Sequence, residues 1–354
     1  MSPKQQLGAV LACLLAGCSA AAAPPTTSPP TVVPVTTTTP TTTTTIPPPT
    51  TTLALPRSPI NGLPLENPAM AERRVLAVKI DNHCFARPQS GPQTADAVIE
   101  LPVEGNFTRL IALFHDADST YVGPIRSGRP ADGEILRHLG ATFAISGGQP
   151  WILDRIINAG VRMLGEGTGM FRTGRYAPHN LYGDTEVLRA EADRRQYPDQ
   201  PPQQLFTFGE IRDGELADTI QLDWDTNNSV TWTFNGLAYL RSVSQGGGCA
   251  DQGPHMWADG KGGSGQMAAD TLVVLFADKY TAGAPAGGTA VPAMDTIGEG
   301  RAVVFAGGTV AEGTWARETI TDTFRLTRAG ATLEVPPGRL WISIFPNGRD
   351  LTWE

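Results

Sequence analysis

Apolar positions along this chain fall into three regimes. Residues 7–17 form a short apolar stretch behind a single cation, Lys4. In residues 24–52, 24 of 29 positions are Thr or Pro, so this stretch has nothing with which to build a core. From residue 58 onward, apolar residues recur with the periods of folded structure.

Within the folded part, a compact run at 75–80 ends at Asp81-Asn82 and predicts a strand that stops in a turn. Two alternating runs, 97–104 and 107–115, flank Gly105-Asn106 and predict a β-hairpin. Residues 130–139 and 150–159 carry helical apolar spacing, and Gly160 is placed to end the second of these helices. Between them, 141–145 reads as a buried strand. Asp184 caps a third helix running to about Arg195. Beyond a Pro/Gln-rich run at 198–204 the apolar runs become short and alternating, at 220–224, 230–234, 271–276, 301–305, 323–326 and 340–345. The expectation is α+β: a mixed α/β N-terminal domain at 58–203 containing the hairpin, then a mainly β domain at 204–354.

Composition narrows the setting. With 40% hydrophobic and 18% charged residues the chain can bury a sizeable core, while 39 Gly and 30 Pro point to abundant turns and linkers. The net charge of -8 provides no cationic excess to displace phosphate counterions, so no nucleic acid is expected as a partner. Only four of the cations are Lys; the rest are Arg, the better side chain for gripping a carboxylate or phosphate in fixed geometry.

The N-terminus carries an address. One cation, a short apolar region and Leu15-Ala16-Gly17-Cys18 have the form of a secretory signal ending in a bacterial lipobox. Residues 1–17 are then a signal peptide. Cys18 becomes the acylated N-terminus, carrying palmitate-type chains, and 18–57 forms a tether. Each buried methylene adds ~0.8 kcal/mol of membrane affinity, so several chains on one Cys make a lasting anchor. The expected location is the extracytoplasmic face of a bacterial cell membrane. Cys84 and Cys249 remain in the folded part and either pair or stand as free thiols. No CxxC and no Cys/His cluster is present, so no metal or cofactor is expected.

Candidate chemistry gathers in the N-terminal half. With Gly105-Asn106 as a two-residue turn, Glu104 lies opposite Phe107 and Pro102 opposite Arg109. Glu100, Glu104 and Arg109 then share a charged face, and Ile99, Leu101, Val103, Leu110 and Phe114 the buried one. Arg126 and Arg129 stand three apart in a Gly/Pro-shaped loop leading into a helix, a pattern suited to clamping an anion. Ser146-Gly147-Gly148-Gln149 joins strand to helix without the Lys of a phosphate-binding loop. His179, in Ala177-Pro178-His179-Asn180-Leu181, is the best-placed imidazole for acid–base work.

Several of these segments, in this order, resemble the YerB-like bacterial lipoproteins. They are Ala95-Asp96, Pro102-Val103-Glu104-Gly105, Thr108-Arg109, Gly123-Pro124-Ile125-Arg126-Ser127 and the His179 segment, followed by Gly298-Glu299-Gly300 and Glu312-Gly313-Thr314-Trp315. That family is defined by a domain of unknown function with a companion C-terminal domain. The resemblance spans nearly all of residues 58–349 and implies a secreted, lipid-anchored envelope protein, with no established reaction to carry over. Asn106 stands where the family pattern leads one to expect Gly, and Gln149 where Ser is usual. Two functions follow. One is a binding or regulatory module for an anionic wall polymer or envelope protein, held to the membrane through Cys18. The alternative is a glycan or phosphodiester hydrolase or transferase using Glu100 or Glu104 with His179, and Arg109, Arg126 and Arg129 for substrate charge.

Overall fold

Strands pair across the whole length of the folded chain. The computed structural model describes residues 55–246, 248–249, 251–283 and 288–354; the signal, the lipobox and most of the tether lie outside the described residues. From Leu53 to Glu354 the chain forms one compact unit.

In the N-terminal part the elements are β1 (Leu76–Asp81), β2 (Ala97–Pro102), β3 (Thr108–Phe114), α1 (Asp132–Arg137), β4 (Thr142–Ala144), α2 (Pro150–Asn158), β5 (Arg162–Leu164) and α3 (Thr185–Arg194). Pro150 opens α2, where a missing N–H costs nothing, and Gly160 (φ 84°) follows its end. Asp184 caps α3 by accepting from the backbone N–H groups of Glu186 (2.8 Å) and Val187 (3.4 Å).

Beyond residue 204 almost everything is strand. Strands make up 42% of the described residues and helices 12%, so the fold is mainly β with a helical layer, and the α+β expectation gives too much weight to helix. A twelve-stranded sheet runs, in order, through Ala331–Thr332, Arg325–Arg328, Thr309–Arg317, Gly298–Ala306, Thr271–Ala277, Leu340–Pro346, β2, β3, β1, β4 and β5, with Glu215–Leu216 beside Thr309–Arg317. Strand Leu340–Pro346 is parallel to both of its neighbours, Thr271–Ala277 and β2. Strands from both sides of the 198–204 segment therefore lie in the same sheet. A six-stranded sheet built mainly from Thr219–Asp225, Asn228–Phe234 and Tyr239–Gln245 packs over one face.

Alternation along the strands divides the core in two. Ala77, Ile99, Leu101, Ile111 and Leu113 face α1 and α2, where Ile135, Leu136, Ile152 and Ile156 meet them. Val78, Ile80, Val98, Leu110 and Phe114 face the second sheet together with Trp224, Trp232 and Leu188 of α3. Each Val, Leu, Ile or Phe among them, fully buried, contributes roughly 1.5–3 kcal/mol.

The hairpin differs from expectation by one residue. Leu101 pairs with Arg109 and Pro102 with Thr108, so the turn is Glu104–Asn106 and not Gly105-Asn106. Gly105 (φ 72°) and Asn106 (φ 63°) both take the left-handed conformation, which Asn tolerates better than most residues. Pairing by this register puts Glu100 with Leu110 on one face and Arg109 with Leu101 on the other.

The shared sheet makes a prediction. Residues 198–201 are exposed and open to protease. Nicking there is expected to leave both fragments co-eluting in native buffer, even after thiol reduction, because Leu340–Pro346 is inserted beside β2. Separation of the fragments on native size exclusion after reduction would count against the shared sheet.

Candidate functional site

Where β1 ends and β3 begins, Asp81 and Arg109 are direct register partners on the helix-facing side of the large sheet. Three loops converge on them. The 123–129 loop supplies Arg126 and Arg129, the hairpin turn supplies Glu104, and the loop before Leu181–Gly183 supplies His179.

Asp81 is the hub. His179 donates from Nδ1 to Asp81 Oδ2 (2.7 Å), which leaves Nε2 without a hydrogen-bond partner among the described residues. Arg126 Nε lies 2.9 Å from the same oxygen as an ion pair, although its N–H is not aimed along a hydrogen bond. Burial pushes the Asp81 carboxyl up, but the His179 hydrogen bond and the charges of Arg126 and Arg109 outweigh it and hold the group below its ordinary 3.8. The ionised form is thus favoured by the fold. Its contribution to stability is complete above the usual carboxylate range and is lost as pH falls through the native value. Acid titration of unfolding is expected to fall more steeply below about pH 4 in the wild type than in Asp81→Asn. Parallel acid limbs would show that Asp81 is not the group responsible.

A second layer supports the first. Lys79, fully buried, donates to Asp132 Oδ1 (2.6 Å), and burial lowers its ammonium to about 8. Asp132 Oδ2 in turn accepts from the backbone N–H of Arg129 (2.7 Å), fixing the loop at the start of α1. Arg129 Nε donates to Glu104 Oε2 (2.7 Å), and the Arg129 bond and charge hold that half-buried carboxyl low against the upward push of its burial.

Arg109 has no such partner. It is 7% exposed, donates from Nη1 to the Ser127 carbonyl (2.8 Å), and makes no ion pair among the described residues. Burial first, then the neighbouring Arg129 charge, push its guanidinium down to about 10. Among the described residues, Lys79, Arg109, Arg126 and Arg129 face Asp81, Glu104 and Asp132, so the described cluster holds a cation in excess. The Gly-rich loop closes one side: Ser146 N–H donates to the Arg126 carbonyl (3.0 Å), and Gly128 N–H to the Gly147 carbonyl (2.9 Å). Gln149 faces elsewhere, exchanging two hydrogen bonds with the Thr289 backbone.

Of the six side chains expected to line one cleft, the structure gathers Glu104, Arg109, Arg126, Arg129 and His179. Glu100 is not among them. It is 1% exposed, on the opposite face, and is a structural carboxylate rather than an acid–base candidate. Arg241 Nη2 donates to both its oxygens (2.8 and 3.0 Å), Trp341 Nε1 donates at 2.8 Å and Thr108 Oγ1 at 2.6 Å. The sequence reading missed Asp81, Lys79 and Asp132. Lys79 did leave a trace, as a lone ammonium inside an apolar strand sequence.

Cys84 and Cys249, whose pairing spacing leaves open, are joined as a disulfide with Cα atoms 5.7 Å apart. It fastens the turn after β1 to the C-terminal half. His83 lies close to both sulfurs, but their mutual bond consumes the thiolates a metal would need. Of the remaining histidines, His115 and His138 are lowered by burial to about 4 and about 3. His255 is buried, donating from Nε2 to Gln89 Oε1 (2.6 Å) and accepting from Arg241.

Comparison with other proteins places these features in a wider set. Residues 60–198 match the family described as protein of unknown function (DUF3048), N-terminal domain, and residues 220–342 match its C-terminal domain. The chain is 25% identical over 301 residues to "Putative lipoprotein YerB" of Bacillus subtilis strain 168, covering 82% of this chain and 86% of that protein. The crystal structure of YerB protein from Bacillus subtilis superposes with a TM-score of 0.70 at 24% identity, covering 84% of this chain and 99% of the other, and shows the same fold.

Proposed function

This chain belongs to the DUF3048 family of YerB-like proteins, and on that premise we propose an extracytoplasmic, lipid-anchored envelope protein whose arginine cluster binds an anionic group. The location rests on the Leu-Ala-Gly-Cys18 motif and on the lipoprotein named among its relatives. The binding role rests on one observation above all: Arg109 is buried and, among the described residues, has no carboxylate within ion-pair distance, beside Arg126 and Arg129. A buried charge left unpaired is costly, and a phosphate or carboxylate bridging Arg109 and Arg126 would relieve that cost. Such a ligand fits an anionic wall polymer or an acidic segment of an envelope protein.

A second reading has its own support. Asp81 fixes the Nδ1–H tautomer of His179 and leaves Nε2 free to take or give a proton, the geometry a general base requires. A phosphodiester or glycosidic substrate held by the arginines would then be open to hydrolysis or transfer.

Retention of purified cell-wall fractions by the protein separates these readings. Arg126→Gln together with Arg129→Gln is expected to reduce retention tenfold or more while the unfolding midpoint stays near wild type, since each guanidinium contributes a charged hydrogen bond. Shortening of the retained polymer by wild type but not by His179→Asn would establish the enzymatic reading. Equal retention by wild type and double variant would remove Arg126 and Arg129 from the binding role.

A further inference from the structure

The turn after β1 displays Phe85 to solvent at 63% exposure, unusually open for a large apolar side chain held so firmly. Its backbone is fixed on every side. Cys84 is bonded to Cys249, the Phe85 N–H donates to His83 Nδ1 (3.2 Å), and Arg175 Nη2 donates to the carbonyls of Phe85 (3.1 Å) and Arg87 (2.9 Å). Arg175 belongs to the same loop as His179, so one guanidinium ties the Phe85 turn to the imidazole loop. The Phe85 ring stands edge-on to His179 with centroids 6.3 Å apart, and His83 lies between Phe85 (5.0 Å) and Phe107 (4.4 Å). An aromatic surface thus runs directly up to the arginine cluster.

We infer that Phe85 is the stacking shelf for a sugar ring whose own phosphate or carboxylate is held by Arg126 and Arg109. The ligand class is therefore an anionic glycan, and this inference rests on the anion-binding reading above. A pyranose presents a face of C–H groups that lies flat on an aromatic ring while its hydroxyls stay in water, which suits an open shelf rather than an enclosed pocket. A simple anion has no use for Phe85, and a neutral sugar has none for the arginines. The disulfide and the Arg175 clamp hold the backbone that carries the ring in place before binding, so little loop freedom is lost when the ligand docks.

Titration of the full chain with three polymers tests this: phosphomannan, neutral mannan and inorganic polyphosphate. Wild type is expected to bind phosphomannan most tightly and mannan at least tenfold more weakly. Phe85→Ala should weaken phosphomannan binding about fivefold while leaving polyphosphate within twofold, and Phe85→Trp should keep phosphomannan affinity. An equal effect of Phe85→Ala on both charged polymers, or on neither, overturns the shelf while leaving the arginine site standing. Mannan bound as tightly as phosphomannan overturns the charge requirement. Failure of wild type to bind either charged polymer overturns both the shelf and the anion site beneath it.

Discussion

Arg241→Met is expected to lower the unfolding free energy by about 3–5 kcal/mol, because it leaves Glu100 as a buried carboxylate without its bonded cation. Both partners are essentially inaccessible to water, and Arg241 is further enclosed by Trp341 and Trp232, whose ring centroids lie 4.9 and 5.7 Å from its guanidinium carbon. Burial pushes that guanidinium down to about 10 even though the charge and hydrogen bond of Glu100 push it back up. His255 completes the arrangement by accepting from Arg241 through Nδ1. Burial, and then the Arg241 charge, hold its imidazole well below the usual range and so keep it neutral for that role. Urea unfolding reads the effect as a lower midpoint at unchanged slope. A double variant, Glu100→Leu with Arg241→Met, should recover part of the loss: the apolar pair has no charge to desolvate, although Trp341 Nε1 and Thr108 Oγ1 lose their acceptor. A loss under about 1 kcal/mol in the single variant would mean that water or another cation reaches Glu100.

Cys18→Ala is expected to move the protein from the membrane fraction to the medium, or to leave it unprocessed. The tether between Cys18 and the folded unit is too poor in apolar residues to hold a bilayer. Membrane attachment through several acyl chains is all-or-none at cellular concentrations, so the change is nearly complete. Normal maturation with undiminished membrane retention would falsify the lipid anchor.

How much of this was readable in the sequence depended on whether the signal was local. Helices α2 and α3 announce themselves by apolar spacing, by Pro150 and by the Asp184 cap, all within one or two turns of chain. Strand β1 was equally plain. The hairpin was found, but its phase was not, because Gly-Asn resembles a two-residue turn while Glu104 in fact joins it. A shift of one residue exchanges the faces of one strand relative to the other, and that alone moved Glu100 from the core network to the supposed site. Strand Tyr239–Gln245 escaped notice because its sequence is half polar, and its Arg241 is buried only by virtue of a partner far away in the chain. Nothing local tells Leu340–Pro346 to insert beside β2, since such pairing depends on long-range packing and not on periodicity. The same division holds for the site. Arg126, Arg129 and His179 lie on Gly/Pro-shaped loops that mark themselves. Asp81, Lys79 and Asp132 lie within or at the end of regular elements, where polar residues look like boundary markers.

On the proposed function, Arg109 and Arg126 hold an anion beside His179. Its most direct test follows the His179 imidazole by NMR during addition of inorganic phosphate at constant pH and low salt, with His179→Asn used to assign the signal. The wild-type resonance should shift and saturate, while Arg126→Gln should show a saturation point at least tenfold higher. An unmoved resonance across the titration, or the same saturation point in wild type and variant, would mean that no anion binds there through Arg126.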